Sequence, residues 1–318
     1  MKSKYTLPKD GGLITACVPR DIYCRYEKVP TEIFETEYAG VQHVAGQIIS
    51  AINSHNGAEP FLLGLTTGKT PLGLYRELVE RHKAGKVSFK NVAVVSLDEF
   101  YPIAPEHKQS RNYRIHEEFL NHIDIDKSNV HIPDATVPVS EISDYCKKYD
   151  EIASKVDFMI IGMGEQGQLG FNEPGSYEKS RTRLVQLSLN SRKVQSKFFS
   201  QEKEVPTMAI TMGIGTILKA KKIVRMAWGE NKAEAIQRVV EGEDTEMIPA
   251  SLLQSHPDIE VVIDEIAGEK LFMTVPSRSV RSDGRISMQR SLSTNAFFLH
   301  LQESTPPPHL SQTLIFLL

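Results

Sequence analysis

The stretch Phe61-Leu62-Leu63-Gly64-Leu65-Thr66-Thr67-Gly68-Lys69-Thr70-Pro71 joins an uncharged run of five residues to a helix start through a loop of glycine, hydroxyls and lysine. Phe61–Leu65 is short enough for a buried strand, and Pro71 has its φ preset for the first turn of a helix reaching about His82. A strand apolar throughout is buried on both faces, which is the habit of parallel sheets covered by helices. The pattern repeats outward. Val92–Leu97, Phe158–Met163, Lys222–Trp228 and Glu260–Asp264 read as further strands, and Asn231–Glu241 as a helix. Thr31–Asn53 reads as an amphipathic helix, with Val41, Val44, Ile48 and Ile49 at helical spacing. Apolar strands interleaved with helices predict an α/β protein with a mostly parallel sheet and helices on both faces.

The chain has 318 residues, 40% of them hydrophobic and 24% charged, which is ordinary for a globular protein. Lys+Arg numbers 37 and Asp+Glu 40, a net charge of -3, so no basic field is present to hold nucleic acid or an anionic membrane. Three cysteines (Cys17, Cys24, Cys146) cannot all pair and form no metal-like cluster, which fits a reducing cytoplasm. Met1–Asp21 lacks the apolar core of a signal peptide. No run of about 18 apolar residues offers a spanning helix. The final stretch, Ser277–Leu318, has no lysine, eight serines, a Pro306-Pro307-Pro308 run and an apolar end. Its lack of period reads as a disordered tail or the product of an altered reading frame, with a partner-docking segment as the alternative.

Ligands of open α/β sheets bind beyond the carboxyl ends of the strands, so the residues following each strand are the candidates. The first loop, Gly64–Thr70, suits a phosphate, because backbone N–H groups and the helix dipole face the anion. It falls one residue short of a nucleotide P-loop: three residues, not four, separate Gly64 from Gly68-Lys69. A tight turn without ligand is the plainer reading. The second loop, Asp98-Glu99-Phe100-Tyr101, puts two carboxylates at the ligand edge. Neighbours on extended backbone point to opposite faces, so one can face the ligand. A partly buried carboxylate beside another has a raised pKa and suits a general base; either residue also suits a helix cap. The third loop contains Gly162-x-Gly164-x-x-Gly167, but Asn172, Pro174 and Gly175 break the helix a dinucleotide fingerprint needs.

Six segments in order resemble the glucosamine-6-phosphate deaminase (isomerase) family, relatives of 6-phosphogluconolactonase. They are Leu63–Leu72, Leu97–Phe100, Phe171–Ser176, Ser180–Arg183, Thr211–Thr216 and Trp228–Ala233. The resemblance divides the chain into an N-terminal extension (1–30), a deaminase-like domain (31–272) and a tail without family resemblance (273–318). It implies a Rossmann-like fold, a hexosamine phosphate as small-molecule partner, and conversion of D-glucosamine 6-phosphate and water to fructose 6-phosphate and ammonia. It implies no metal or redox cofactor and leaves homo-oligomerisation open. On this resemblance Asp98 is the proton-shuttling base and Glu173 the glutamate supporting ring opening. Thr67, Gly68, Lys69 and Thr70 form the phosphate loop, with Lys69 where the family usually has glycine. Lys232 binds phosphate, and Lys197 stands where the family usually has arginine, keeping the charge but losing the bidentate fork.

Two departures matter most. The third loop of the family usually carries an aspartate and a histidine for ring opening; here those positions are Gln166 and Gln168. Glutamine hydrogen-bonds but accepts no proton near neutral pH. His116 is one candidate replacement donor, and a helix-surface histidine is its plainer reading. The expectation is a deaminase-like enzyme; the alternatives are a non-catalytic or weakly active sugar-phosphate binder and an isomerase or lactonase of altered specificity.

Overall fold

A computed structural model describes residues 27–272 and the short strand Arg285–Ile286. In chain order the strands and helices are β1 (Thr31–Phe34), α1 (Glu37–Ser54), β2 (Phe61–Leu65), α2 (Leu72–Lys83), β3 (Val92–Ser96), β4 (Asp98–Tyr101), α3 (Arg111–Glu118), β5 (Val130–His131) and α4 (Ile142–Ala153). There follow β6 (Phe158–Ile161), β7 (Arg183–Gln186), α5 (Leu189–Gln195), β8 (Met208–Thr211), α6 (Ile214–Ile217), β9 (Lys222–Ala227), α7 (Ala233–Val240), β10 (Ile259–Asp264) and β11 (Arg285–Ile286).

The main sheet has the order β11-β1-β10-β9-β6-β2-β3-β5. Its pairs are parallel apart from β11, which lies antiparallel to β1. From β2 the chain builds outward through β3 to β5, then returns to β6 on the other side of β2. The boundary between β2 and β6 is therefore the switch point, where loops diverge and leave a crevice.

Both faces are covered, as the apolar strands predict. Val44, Ile48, Leu74 and Leu78 of α1 and α2 pack on Leu63, Leu65, Val94 and Ile160. Opposite them, Tyr149, Ile214, Ile236 and Val239 of α4, α6 and α7 pack on Val95, Met159, Ile161 and Ile263. Every residue of β2, β3 and β6 is buried.

Two local readings change. The helix expected from Thr31 begins at Glu37, and Thr31–Phe34 is a strand in register with Val261–Asp264. Thr36 separates the two as N-cap, accepting a hydrogen bond from Ala39 N at 3.2 Å. Four residues before a cap are too few for period-2 alternation to stand out from the helical pattern after it. Asp98–Tyr101, read as loop, is β4; it leaves the parallel sheet and joins a second, antiparallel sheet of order β4-β8-β7. Of the extension and tail, residues 1–26, 273–284 and 287–318 lie outside the described residues. No helix among the described residues is long and apolar enough to cross a membrane.

The second sheet also separates the two carboxylates. Glu99 is turned into the N-terminus of α3, accepting hydrogen bonds from Ser110 Oγ (2.8 Å), Arg111 N (2.9 Å), Asn112 N (2.9 Å) and Phe100 N (2.8 Å). Its carboxylate holds the first amides of α3, whose N-cap is Ser110, while Asp98 meets the third loop at Gly170. Glu99→Gln puts amide protons against these donors, so denaturant unfolding should show a loss of about 1–3 kcal/mol. An unchanged midpoint would contradict this assignment.

Candidate active site

The loop after β2 runs Thr66–Thr70 into α2. Tyr75 Oη holds it from below by donating to Thr66 O, and Trp228 Nε1 donates to Thr70 O at 3.1 Å. Thr67, Gly68 and Thr70 are partly exposed and Lys69 is exposed. Thr70 lies against Gly162, the first residue after β6: a Cβ built on that glycine would sit 3.6 Å from Thr70 Cβ. Lys232, in the 3-10 turn Glu230–Lys232 after β9, donates to Met163 O at 3.0 Å. Burial pulls the Lys232 pKa down, and neighbouring Glu165 pushes it up. The turn is held in place by Asp264 at the end of β10, whose carboxylate accepts from Gly229 N (3.0 and 3.1 Å) and Ala267 N (2.8 Å). The expected phosphate loop and Lys232 thus meet the third loop from its two sides, at the ends of β2, β6 and β9.

Asp98 is buried at the start of β4. Burial raises its pKa to about 6; the Arg111 cation opposes the rise and the Glu99 carboxylate adds to it. Arg111 Nε stands 3.4 Å from Asp98 Oδ1, and its guanidinium lies over the rings of Phe100 and Phe171, 4.6 and 5.4 Å from their centroids. Gly170 approaches from the third loop. Its φ is +55°, and a Cβ there would lie 2.7 Å from Asp98 Oδ2. Only glycine brings this backbone so close to the carboxylate.

The rest of the third loop hangs on the second sheet. Phe171 N donates to Thr211 Oγ1 at 3.3 Å, and Asn172 Nδ2 to Leu169 O (2.9 Å) and Met212 O (2.7 Å). Glu173 follows, partly exposed, its carboxylate accepting from Ser188 N at 3.2–3.3 Å. Gln166 and Gln168 complete each other: Gln166 N donates to Gln168 Oε1 (3.2 Å) and Gln168 Nε2 to Gln166 Oε1 (3.3 Å), while Asn190 Nδ2 also reaches Gln166 Oε1 (3.3 Å). These side chains are neutral amides and supply no base.

Lys197 lies exposed in the turn Ser196–Phe198, in a segment with no buried residue, and its side chain makes no hydrogen bond or ion pair among the described residues. His116 is partly exposed on α3. Neither is joined to the strand-end loops by such a bond. Sequence alone does not single out Arg111, Gly170 or Asp264. Asp264 carries a weak signal, as the carboxylate ending an apolar strand; the other two carry none, since their partners are distant in sequence.

The fold is an open, mostly parallel α/β sheet whose strand-end loops bring Thr67–Thr70, Lys232 and the buried Asp98 to the side of its switch point. The chain belongs to the glucosamine-6-phosphate isomerases/6-phosphogluconolactonase family, whose model matches residues 35–262. It is 44% identical over 209 residues to glucosamine-6-phosphate deaminase of Thermoanaerobacter pseudethanolicus, covering 65% of this chain and 82% of the relative. Among solved structures it resembles a monomeric glucosamine-6-phosphate deaminase (33% identity, TM-score 0.72, 76% of this chain and 99% of the other). It shares the fold of 6-phosphogluconolactonase from Trypanosoma cruzi (16% identity, TM-score 0.63, 78% and 98% covered).

Proposed function

We propose that this protein is a cytoplasmic enzyme that converts D-glucosamine 6-phosphate and water to D-fructose 6-phosphate and ammonia, with Asp98 as the proton shuttle. The observation that carries this reading is the buried carboxylate at the start of β4, beside an arginine and a glycine backbone, with its pKa raised to about 6. A group that takes a proton and returns it works best with a pKa near the operating pH.

Thr67–Thr70 and Lys232 hold the phosphate. The open-chain amino aldehyde then lies across the switch point with its C2 hydrogen toward Asp98. The carboxylate removes that proton, and the C–H electron pair forms the C1–C2 double bond of an enolamine as the aldehyde oxygen takes up a proton. Protonated Asp98 returns its proton to C1, leaving an imine at C2. Water adds to the imine carbon and the C–N bond breaks, giving the ketone and ammonia. No electron acceptor enters this balance. Glu173 supports ring opening, while Gln166 and Gln168 take no proton there.

The test is ammonia release from glucosamine 6-phosphate, run beside galactosamine 6-phosphate. Ammonia and fructose 6-phosphate are expected. Binding without turnover would replace this reading with a sugar-phosphate binder; lactone hydrolysis without ammonia release would replace it with a lactonase.

The phosphate assignment has its own test. Lys232→Ala should weaken binding of glucosamine 6-phosphate by calorimetry about 10–100-fold, the loss of one charge-assisted hydrogen bond, and leave free glucosamine unchanged. Equal affinity of the wild type for the two sugars would overturn it.

A further inference from the structure

Arg225 is the largest fully buried side chain of the described residues, yet no carboxylate pairs with it among them. It lies on β9 between Ile161 of β6 and Val261 of β10, on the sheet face covered by α4, α6 and α7. Of its donors, Nη2 reaches Ala250 O at 2.6 Å, while Nε and Nη1 have no hydrogen-bond partner. Burial pulls its pKa down to about 9, which leaves it protonated at neutral pH. An apolar side chain of similar size would fill this space without desolvating a charge. Core packing therefore does not account for an arginine here.

Its single bond leads to the site. Ala250 belongs to the 3-10 segment Pro249–Ser255, and its N–H donates to Gly167 O at 2.9 Å. Gly167 lies between Gln166 and Gln168 and closes the turn of the third loop: Gly167 N donates to Gly164 O (3.0 Å), and Gly164 N to Gln168 O (2.9 Å). Gly167 has φ +80°, and a Cβ on it would stand 2.5 Å from Ile248 Cγ2, so the turn is seated directly on this segment. A continuous line of hydrogen bonds runs from the guanidinium through Ala250 to the loop above the switch point.

We propose that Arg225 is a positioning residue: from inside the sheet it fixes Pro249–Ser255, and through Gly167 it fixes the loop bearing Gln166 and Gln168 for the reaction proposed above. Arg225 touches no substrate. The phosphate handle has anchors of its own, Trp228 on Thr70 and Asp264 on Gly229, and Lys232 meets the third loop at Met163 O, ahead of the Gly164–Gly167 turn. Loss of Arg225 should therefore disturb turnover more than substrate capture.

The test compares Arg225→Met, Arg225→Lys and the wild type as full chains, with Ile223→Val as a change of packing on the same strand and face. Amide hydrogen exchange is followed at Gly164, Gly167 and Ala250 against the amides of β9. Ammonia release from glucosamine 6-phosphate gives kcat and KM. In Arg225→Met the three amides should exchange at least tenfold faster while β9 keeps its protection. The melting temperature should be maintained or raised. The third loop also sets Gly170 against Asp98 Oδ2, so a loop out of place should slow the Asp98 step until it limits turnover, lowering kcat about tenfold or more with KM within twofold. Arg225→Lys should recover part of the protection and of kcat, and Ile223→Val should change neither. Exchange and kinetics unchanged in Arg225→Met would reduce Arg225 to core filling, and so would a uniform rise in exchange over β9 and loop alike. If Arg225→Met does not fold, unchanged exchange and kcat in Arg225→Lys would overturn the proposal. The exchange measurement stands without turnover, so a wild type that releases no ammonia refutes the deaminase reading and leaves the positioning role to the amides.

Discussion

Asp98→Asn is expected to abolish exchange of the C2 proton of glucosamine 6-phosphate with deuterium and to lower ammonia release about 10²–10⁴-fold, the usual worth of a positioned acid–base group. The amide matches the carboxylate in shape, so Gly170 and Arg111 keep their places while the base is lost. The pH profile gives an independent check. With its pKa raised to about 6, Asp98 is a carboxylate above that pH and a neutral acid below it. Activity that depends on the carboxylate should fall on the acid side with a midpoint near pH 6, well above the ordinary aspartate value. Stability carries the same signature with the opposite sense. The folded state binds this proton more tightly than the unfolded chain, so ionising Asp98 erodes stability as pH rises from about 4 to about 6. Asp98→Asn lacks that slope and should gain stability relative to wild type across the window, read from denaturant midpoints at each pH. An acid limb near pH 4, or one that persists in Asp98→Asn, would assign the titration to another group.

What the sequence discloses follows from how local its signals are. β2, β3 and β6 are legible because a strand buried on both faces must be apolar at every position. β1 is hidden, since its four residues run directly into a helix whose pattern is stronger. Asp98 is legible as a carboxylate ending an apolar strand, but sequence leaves it equal to Glu99. The choice between them is made by α3, whose N-terminal amides take Glu99. Trp228 and Lys232 stand out by motif, whereas their support does not: Asp264 reaches Gly229 across 35 positions of sequence, and Arg225 reaches Gly167 only by way of Ala250. The residues proposed to touch the ligand sit in motifs at strand ends. Residues that hold those motifs in place are scattered, because any part of the chain brought near by the fold can supply the bond.

Restoring acid–base groups to the third loop, Gln166→Asp together with Gln168→His, is expected to raise turnover by about 10²–10⁴-fold. The present pair cannot take a proton from a sugar hydroxyl, so on the proposed mechanism Glu173 supports ring opening with no proton carrier beside it, and turnover of the wild type should be limited by that slow step. The geometry suits the change. The two side chains already touch through Gln168 Nε2 and Gln166 Oε1 at 3.3 Å, so a histidine at 168 would find the aspartate at 166 within reach to orient its ring and support its charge. Asn190 Nδ2, which now donates to Gln166 Oε1, is the neighbouring donor for a carboxylate at 166, which is one methylene shorter. Asp98 and the phosphate handle are untouched, so the gain should appear in kcat, with little change in KM. Each single variant should fall short of the pair, since the histidine lacks its orienting partner or the aspartate its proton carrier. The measurement is ammonia release at saturating glucosamine 6-phosphate for wild type, both singles and the double variant. Full activity in wild type with no gain in the double would mean that a group other than this loop opens the ring. Absence of C2 exchange in wild type and double variant alike would show that the chain binds sugar phosphate without turning it over.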